Sequence, residues 1–356
     1  MSKITIELVQ STLTDAIASL PVPMTGQVSE FSSYKLSYAD GSVSISSQNL
    51  VAYGCTTIET KGSASGQVAF LIEANRLKAL TWKKQDTLTL IVDTESATIR
   101  AKGTRTQLSI ELVEDNSDDS FDLDSYTELE LVPALNEAAK FTSQDITRGS
   151  IACINWRANG DIFATDGTAL FAANEPNGLE GFPEQGILID TNQLSLWSKF
   201  EGTLHCKYND ARNRFDYIYT DGTTIIKSSV SKALYPDNPR ALFPKGTETV
   251  EIDLKEFKSF SSAVKIVTPA QFEALILSNQ DGKGSLTAKC EGVDMSMIMS
   301  EELPIADLQL GIKISLLKLL PRDTQWLRMV PNVINQPLLF ETRKGYEIII
   351  MPLILR

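Results

Sequence analysis

The stretch ITIEL, residues 4–8, alternates apolar and polar side chains. It then runs without a break into VQSTLTDAIASL, residues 9–20, where apolar positions return every three or four residues. The first period is that of a half-buried strand and the second that of an amphipathic helix. The same change of period occurs where LELV (129–132) meets Ala134–Phe141, and where VEIDL (250–254) meets Glu256–Ile266. A second set repeats it in FLIEANRLKALTWKK (70–84), ILIDTNQLSLWSKF (187–200) and GIKISLLKLLPR (311–322). Between the two sets lie paired strands: YKLSYADGSVSIS (34–46), IACINWRANGDIFATDG (151–167) and EALILSNQDGKGSLTAKC (273–290). Their dipeptides Asp40-Gly41, Asn159-Gly160 and Asp281-Gly282 are hairpin signals, because Asn, Asp and Gly enter the left-handed region at little expense. Further strands follow each second helix: TLTLIVDTESATIRAKG (87–103), TLHCKYNDARNRFDYIYTDG (203–222), and QWLRMV (325–330) with PLLFE and YEIIIMP.

The chain therefore reads as one α+β unit used three times, each roughly 120 residues, a normal domain size. Antiparallel sheets backed on one face by two short helices fit this order. The expected domains are 1–125, 126–246 and 247–356. No Lys or Arg stands between Arg105 and Lys140, and VEDNSDDSFDLDS (113–125) is strongly acidic, which reads as a solvated linker. Glu73 and Asp190 are expected in the first turn of their helices, where acids favour the dipole.

The 356 residues carry a formal charge of −12. By expected domain the charge is −6, −4 and −2, so every third is acidic. The helical windows differ: Glu73–Lys84 carries +3, Leu254–Ile266 +2 and Lys313–Arg322 +3, against −2 for Glu7–Ser19, −1 for Pro133–Asp145 and zero for Asp190–Phe200. An excess of positive charge on helices and of negative charge elsewhere suits a protein that turns helices toward phosphates without reading bases. No apolar run is long enough to span a bilayer, and MSKITIELVQ lacks the basic and apolar regions of a signal peptide. Cys55, Cys153, Cys206 and Cys290 are scattered with no C-x-x-C pair, so free thiols in a reducing cytoplasm are expected, with no zinc site.

Three stretches resemble the bacterial DNA polymerase III β subunit, the sliding clamp. They are IFATDGTALFA (162–172), LYPDNPRALFP (234–244) and the C-terminal IIIMPLILR (348–356), in the family's order and spacing. The resemblance covers nearly the whole chain and implies a divergent member with the DNA clamp fold. It implies a head-to-tail homodimer whose six similar domains close a ring around double-stranded DNA, held without sequence preference, with twelve helices lining the hole. It also implies partners, DNA polymerase and clamp loader, that insert short apolar-aromatic peptides into one pocket. By position that pocket is Ile151, Thr165, Gly167, Leu170, Pro236, Arg240, Ala241, Ile349, Met351, Pro352 and Leu353. Apolar side chains there would accept Leu and Phe anchors, and Arg240 a peptide carbonyl or carboxylate.

The chain departs from the family pattern in three places. Thr168-Ala169 stand where the family usually has His-Arg, Asp190-Thr191-Asn192 where it has Pro-Arg-Lys, and the first helix has no basic residue. Contact with DNA is thus expected from Arg76, Lys78, Lys83, Lys140, Arg148, Lys199, Lys258, Lys265 and Lys318, with Arg148 reaching the backbone from the loop after Ala134–Phe141. A clamp-like protein that recruits partners without encircling DNA is the alternative.

Catalytic chemistry finds little support. The single histidine, His205, neighbours Cys206 on a strand, so the two should point to opposite faces. No phosphate loop, dinucleotide fingerprint or H-E-x-x-H is present. The cluster Asp115, Asp118, Asp119, Asp122 and Asp124 lacks the ordered spacing of a calcium loop. No catalytic residue, metal or cofactor is expected, nor a membrane partner. A hydrolase using carboxylates without a recognisable motif is the competing reading from another class.

Overall fold

A computed structural model describes residues 3–24, 29–62, 66–81, 85–105, 107–114, 122–176, 179–199, 201–245, 248–251, 254–267, 274–290, 293–302, 309–330 and 336–353. The chain divides into two compact units, one of residues 1–131 with 192–231 and one of residues 132–191 with 232–356.

In the first unit, strand Lys3–Val9 buries alternate side chains Ile4, Ile6 and Leu8 and passes directly into helix Gln10–Ser19, as its change of period predicts. The helix buries Leu13 and Ala16, and Pro21 and Pro23 follow it, which cannot continue a helical ladder. Its buried Gln10 donates from Nε2 to Thr81 O (2.7 Å) and accepts at Oε1 from Gln85 N–H (2.8 Å). One amide side chain thereby ties the first helix to the end of helix Ala74–Leu80. Lys3–Val9 pairs with Thr87–Asp93, followed across a four-stranded sheet by Thr98–Ala101 and Leu108–Ser109. A nine-stranded antiparallel sheet runs in the order Thr127–Leu129, Thr203–Asn209, Arg214–Thr220, Thr224–Ser231, Ala52–Glu59, Ser42–Gln48, Ser33–Ala39, Val68–Glu73, Glu111–Val113.

The second unit repeats the plan. An eight-stranded sheet has the order Ile187–Asp190, Cys153–Trp156, Asp161–Thr165, Ala169–Asn174, Glu347–Ile350, Leu338–Thr342, Thr324–Met329, Glu248–Glu251. A four-stranded sheet runs Val293–Glu302, Lys283–Cys290, Ala274–Gln280, Gln309–Lys313. Helix Pro133–Ala138 tightens into a 3-10 turn, Ala139–Phe141, that places Phe141 against Phe171 (centroids 5.5 Å apart), and Phe171 in turn against Tyr346 (5.4 Å). Helix Leu254–Val267 is held at two points. Lys258 donates to Leu320 O (3.0 Å), beyond the short helix Ile314–Leu317, and the Glu256 carboxylate accepts from Ser300 N–H and Oγ.

The turn signals act as expected. Asp40 and Gly41 both have positive φ (49° and 82°), as do Asp281 and Gly282 (53° and 86°), the pattern of the tight hairpin turn whose twist matches its strands. Glu73 and Asp190, expected in a first helical turn, are instead the last residues of their strands. Glu73 occupies the N-cap position with no capping bond, and its carboxylate meets Arg76 at 3.3 Å. Strand pairing claims each residue first, Glu73 opposite Ser33 and Asp190 opposite Cys153. His205 and Cys206 do alternate faces, with Cys206 fully buried. Cys55, Cys153 and Cys206 are buried free thiols, and burial, with Asp190 nearby, pushes Cys153 up to about 12. The side chain of Cys290 and the residues Asp115, Asp118 and Asp119 lie outside the described set.

Candidate functional site

The residues expected to form a peptide pocket all belong to the second unit, and hydrogen bonds bring their three segments together. The first segment is the turn at Asp166. Its Oδ1 accepts from Thr168 N–H (2.7 Å) and Ala169 N–H (2.9 Å), while Thr165 Oγ1 donates to Ala169 O (2.6 Å) and accepts from Gly167 N–H. Gly167 has φ +91°, and a side chain there would meet the Arg148 guanidinium, so glycine serves both the backbone and the neighbour.

The second segment, LYPDNPRALFP, has little regular structure of its own and is held by capture of its carbonyls. Ser150 Oγ donates to Leu234 O (2.7 Å), and the Arg157 guanidinium donates to Pro236 O (2.7 Å) and Asp237 O (2.8 Å) while stacking over Phe163. Tyr235 is buried beneath, with its hydroxyl pushed up by that burial. The third segment follows the strand Glu347–Ile350. Leu170 lies opposite Ile349, Met351 N–H donates to Thr168 O (3.1 Å) and Leu353 N–H to Gly311 O (2.8 Å).

Within this frame the expected residues differ in availability. Ile349 and Leu170 are buried; Ile151, Thr165, Pro352 and Leu353 are half-buried. Gly167, Pro236, Ala241 and Met351 are exposed, and the same segments carry the exposed apolar side chains Leu234 and Leu242. Arg240, expected to offer its charge to a peptide, is already engaged. Its two terminal nitrogens donate to Glu347 Oε2 (2.6 Å) and Asp161 Oδ1 (3.1 Å), and its plane lies over Phe163 and Phe243. Burial works against its charge, but the two carboxylates outweigh that and hold its pKa above the ordinary value. Asp161 is likewise held below the usual carboxylate range, as hydrogen bonds from Asn174, Arg240 and Asn159 overcome its burial. Arg240 is thus a cross-link between the captured segment and the sheet.

Arg148, expected to reach outward to DNA, instead donates to Asp166 O (2.5 Å) and sits over Gly167. It places a cation on the rim where Thr168-Ala169 supply none. Sequence reasoning missed Ser150, Arg157, Asp161 and Glu347. Their partners lie about 80 residues or more away for Ser150, Arg157 and the Arg240 pairs, and no local pattern signals such a bond.

The other cations expected at DNA are mostly bonded within their own units. Arg76 meets Glu73 and donates to Ser109 O (3.1 Å), and Lys140 pairs with Glu137 at 2.6 Å. Lys199 donates to Ala18 O (3.0 Å), at the carbonyl end of the first helix. Lys258 is half-buried against Leu320 O, and desolvation, with Arg322 and Lys140 nearby, lowers its pKa. Lys78 and Lys318 are exposed at the ends of their helices. Lys83 lies outside the described residues, as does the side chain of Lys265. Among the described residues no group of three or more His, Cys, Asp or Glu is placed to hold a metal ion, and no helix is long and apolar enough to cross a membrane.

No protein-family model matches the sequence, and no curated protein matches it. Solved structures do match. The β sliding clamp of C. crescentus, solved with polyethylene glycol at its proposed β-motif tethering region, gives a TM-score of 0.81 at 15% identity, covering 99% of this chain and 100% of that one. The sliding clamp of Bartonella birtlesii, bound to griselimycin, gives 0.79 at 17% identity over 99% and 100%. The sliding clamp of Bacillus subtilis gives 0.79 at 14% identity over the whole of both chains. From end to end, this chain has the fold of the bacterial DNA polymerase III β sliding clamps.

Proposed function

We propose that the protein is a DNA sliding clamp, a processivity factor without a catalytic centre. It would be a head-to-tail homodimer whose ring encircles double-stranded DNA and tethers a DNA polymerase, a clamp loader and other partners by short peptides. The observation that carries this reading is the likeness to solved clamps over the full chain length, with no part of either chain left over. Supporting it, the matched sheets join the chain in two equivalent ways. Ala52–Glu59 pairs with Thr224–Ser231, and Ala169–Asn174 with Glu347–Ile350, as expected of a threefold division at 1–125, 126–246 and 247–356. Retention by a ring is topological, so weak contacts to phosphates suffice and permit sliding. The pocket of the second unit would take the partner peptide, with Leu170 and Ile349 as its floor and Met351, Leu353 and Arg148 around it.

The decisive experiment loads the protein onto nicked circular DNA and then linearises the DNA. Retention before the cut and rapid loss after it is the expected result; equal loss from both forms would remove the ring. One observation favours the second reading, a clamp-like recruiter that does not encircle DNA. Arg76, Lys140, Lys199 and Lys258 are each bonded to protein oxygens, and the first helix has no cation. That reading predicts partner-peptide binding with no topological retention.

A further inference from the structure

The turn and strand register that carry the expected peptide pocket in the second unit recur in the first unit with their chemistry exchanged. Two turns are closed in the same way: as Asp166 Oδ1 accepts from the N–H groups two and three residues on, Asn49 Oδ1 accepts from Val51 N–H (2.8 Å) and Ala52 N–H (2.9 Å). The registers beyond the turns coincide as well. Thr165 faces Leu170, which faces Ile349; Gln48 faces Tyr53, which faces Lys227. Ala169 lies opposite Ile350 and Ala52 opposite Ser228. The repeat therefore puts Leu50 where the second unit has Gly167, Tyr53 in place of Leu170, Lys227 in place of Ile349, and Ser229 in place of Met351.

A groove of about 400 Å³ lies there, lined by the turn at Asn49, the strands beside it and Tyr126. Its charge is opposite in sign to that of the whole chain. Lys227 stands over the Tyr53 ring (5.9 Å) and Lys207 over the Tyr126 ring (5.8 Å). Arg214 meets the Asp216 carboxylate at 2.6 Å, and Asp216 lies opposite Lys207. Arg214 and Lys207 thus stand by one carboxylate, Lys227 lines the same groove, and Glu128 lies farther along, opposite His205. Leu50, 80% exposed, offers an apolar surface at the rim.

We infer that this groove is a second docking site, for a short protein segment that carries carboxylates beside an aliphatic or aromatic side chain. The rings of Tyr53 and Tyr126 and the side chain of Leu50 supply apolar contact, while Lys207 and Lys227 attract the carboxylates at short range on a molecule that repels them at long range. The two clefts of one chain then select different segments: apolar in the second unit, acidic and apolar in the first. The inference stands on repeat geometry and charge, so failure of topological retention on DNA would leave it intact.

The test uses the full-length protein and two fluorescein-labelled hexapeptides, alternating Glu-Leu and alternating Lys-Leu, with fluorescence anisotropy as the readout. The Glu-Leu peptide should bind saturably and more tightly at low salt. Lys227→Glu should weaken it at least tenfold and Leu50→Ser severalfold, while Lys344→Glu, an equal charge change in an exposed turn of the second unit, should leave it unaltered. The Lys-Leu peptide should bind only the Lys227→Glu variant. Absence of saturable Glu-Leu binding would overturn the proposal, as would equal weakening by Lys227→Glu and Lys344→Glu. Leu50 is so exposed that its replacement leaves folding untouched, and that variant decides the matter if Lys227→Glu misfolds.

Discussion

Arg240 meets two carboxylates and two aromatic rings at once, so its removal has more than one consequence. Arg240→Ala would leave Asp161 and Glu347 without their shared cation and remove the guanidinium over Phe243, while Phe163 keeps that of Arg157. The side chain is partly exposed and solvent screens the pair, so a loss of about 1–2 kcal/mol is expected in chemical denaturation. The sign of its pH dependence follows from Asp161. Its folded pKa is depressed, so the stabilisation is present above the unfolded carboxylate value, about 3.9, and is lost as pH falls through the folded value. The difference in stability between wild type and variant should therefore shrink in acid and stay level from about pH 5 to 8; a difference that grows in acid would contradict the assignment. Gly160 is a harder constraint. Its φ is +86° and a methyl group would run into Glu175 O, so Gly160→Ala should lower stability by about 2–4 kcal/mol, read from the shift of the unfolding midpoint. In the cleft, Met351 is 43% exposed while Leu353 is tied to Gly311. Met351→Asp should therefore weaken binding of a polymerase-derived clamp-binding peptide roughly tenfold without unfolding the protein, and unchanged affinity would move the peptide elsewhere.

The short helices are set by their neighbours more than by their own sequences. Gln10–Ser19 has no basic residue in its last turn, yet Lys199 reaches its Ala18 carbonyl from another part of the chain, completing the terminus with a positive charge. Helix Leu254–Val267 gives up Lys258 to Leu320 O in a comparable way. These lysines thus hold helix ends or neighbouring backbone. The exposed Lys78 and Lys318 carry the electrostatic expectation at this scale. Lys78→Glu with Lys318→Glu should weaken DNA binding and make it less salt-dependent, by about one unit of slope for each phosphate that goes unneutralised. An unaltered slope in a salt titration would show that neither side chain meets phosphate.

At the scale of the whole molecule the repeat is the organising fact. Two strand pairs join parts of the chain far apart in sequence, Ala52–Glu59 with Thr224–Ser231 and Ala169–Asn174 with Glu347–Ile350. The four-stranded sheets built from residues 3–109 and 274–313 draw on one third each. A protein of this plan with a single chain mass of 39.2 kDa should sediment near twice that mass if two copies close a ring. Heterologous closure requires two equal contacts to form together, so dissociation on dilution should pass straight from dimer to monomer. Monomer at all concentrations would leave the recruiter reading in possession.

How much of this was legible without coordinates depended on the range of the forces involved. Periodicity in ITIEL, ILID and GIKI marked the strands, and the helices after them appeared within a few residues of expectation, because a residue's face is set by its immediate neighbours. Asp-Gly pairs marked the hairpins for the same reason. The cleft's three segments were found only through resemblance, and the bonds that assemble them stayed hidden: Arg157 to Pro236, Arg240 to Glu347, Arg148 to the Asp166 turn. A guanidinium takes whichever oxygen the fold brings within about 3 Å, and sequence carries no local sign of that choice. Composition and period determined the strands, the helices and their order along the chain. Tertiary packing alone decided which cations face solvent and which are bound to carbonyls and carboxylates, since that is a matter of distance across the fold.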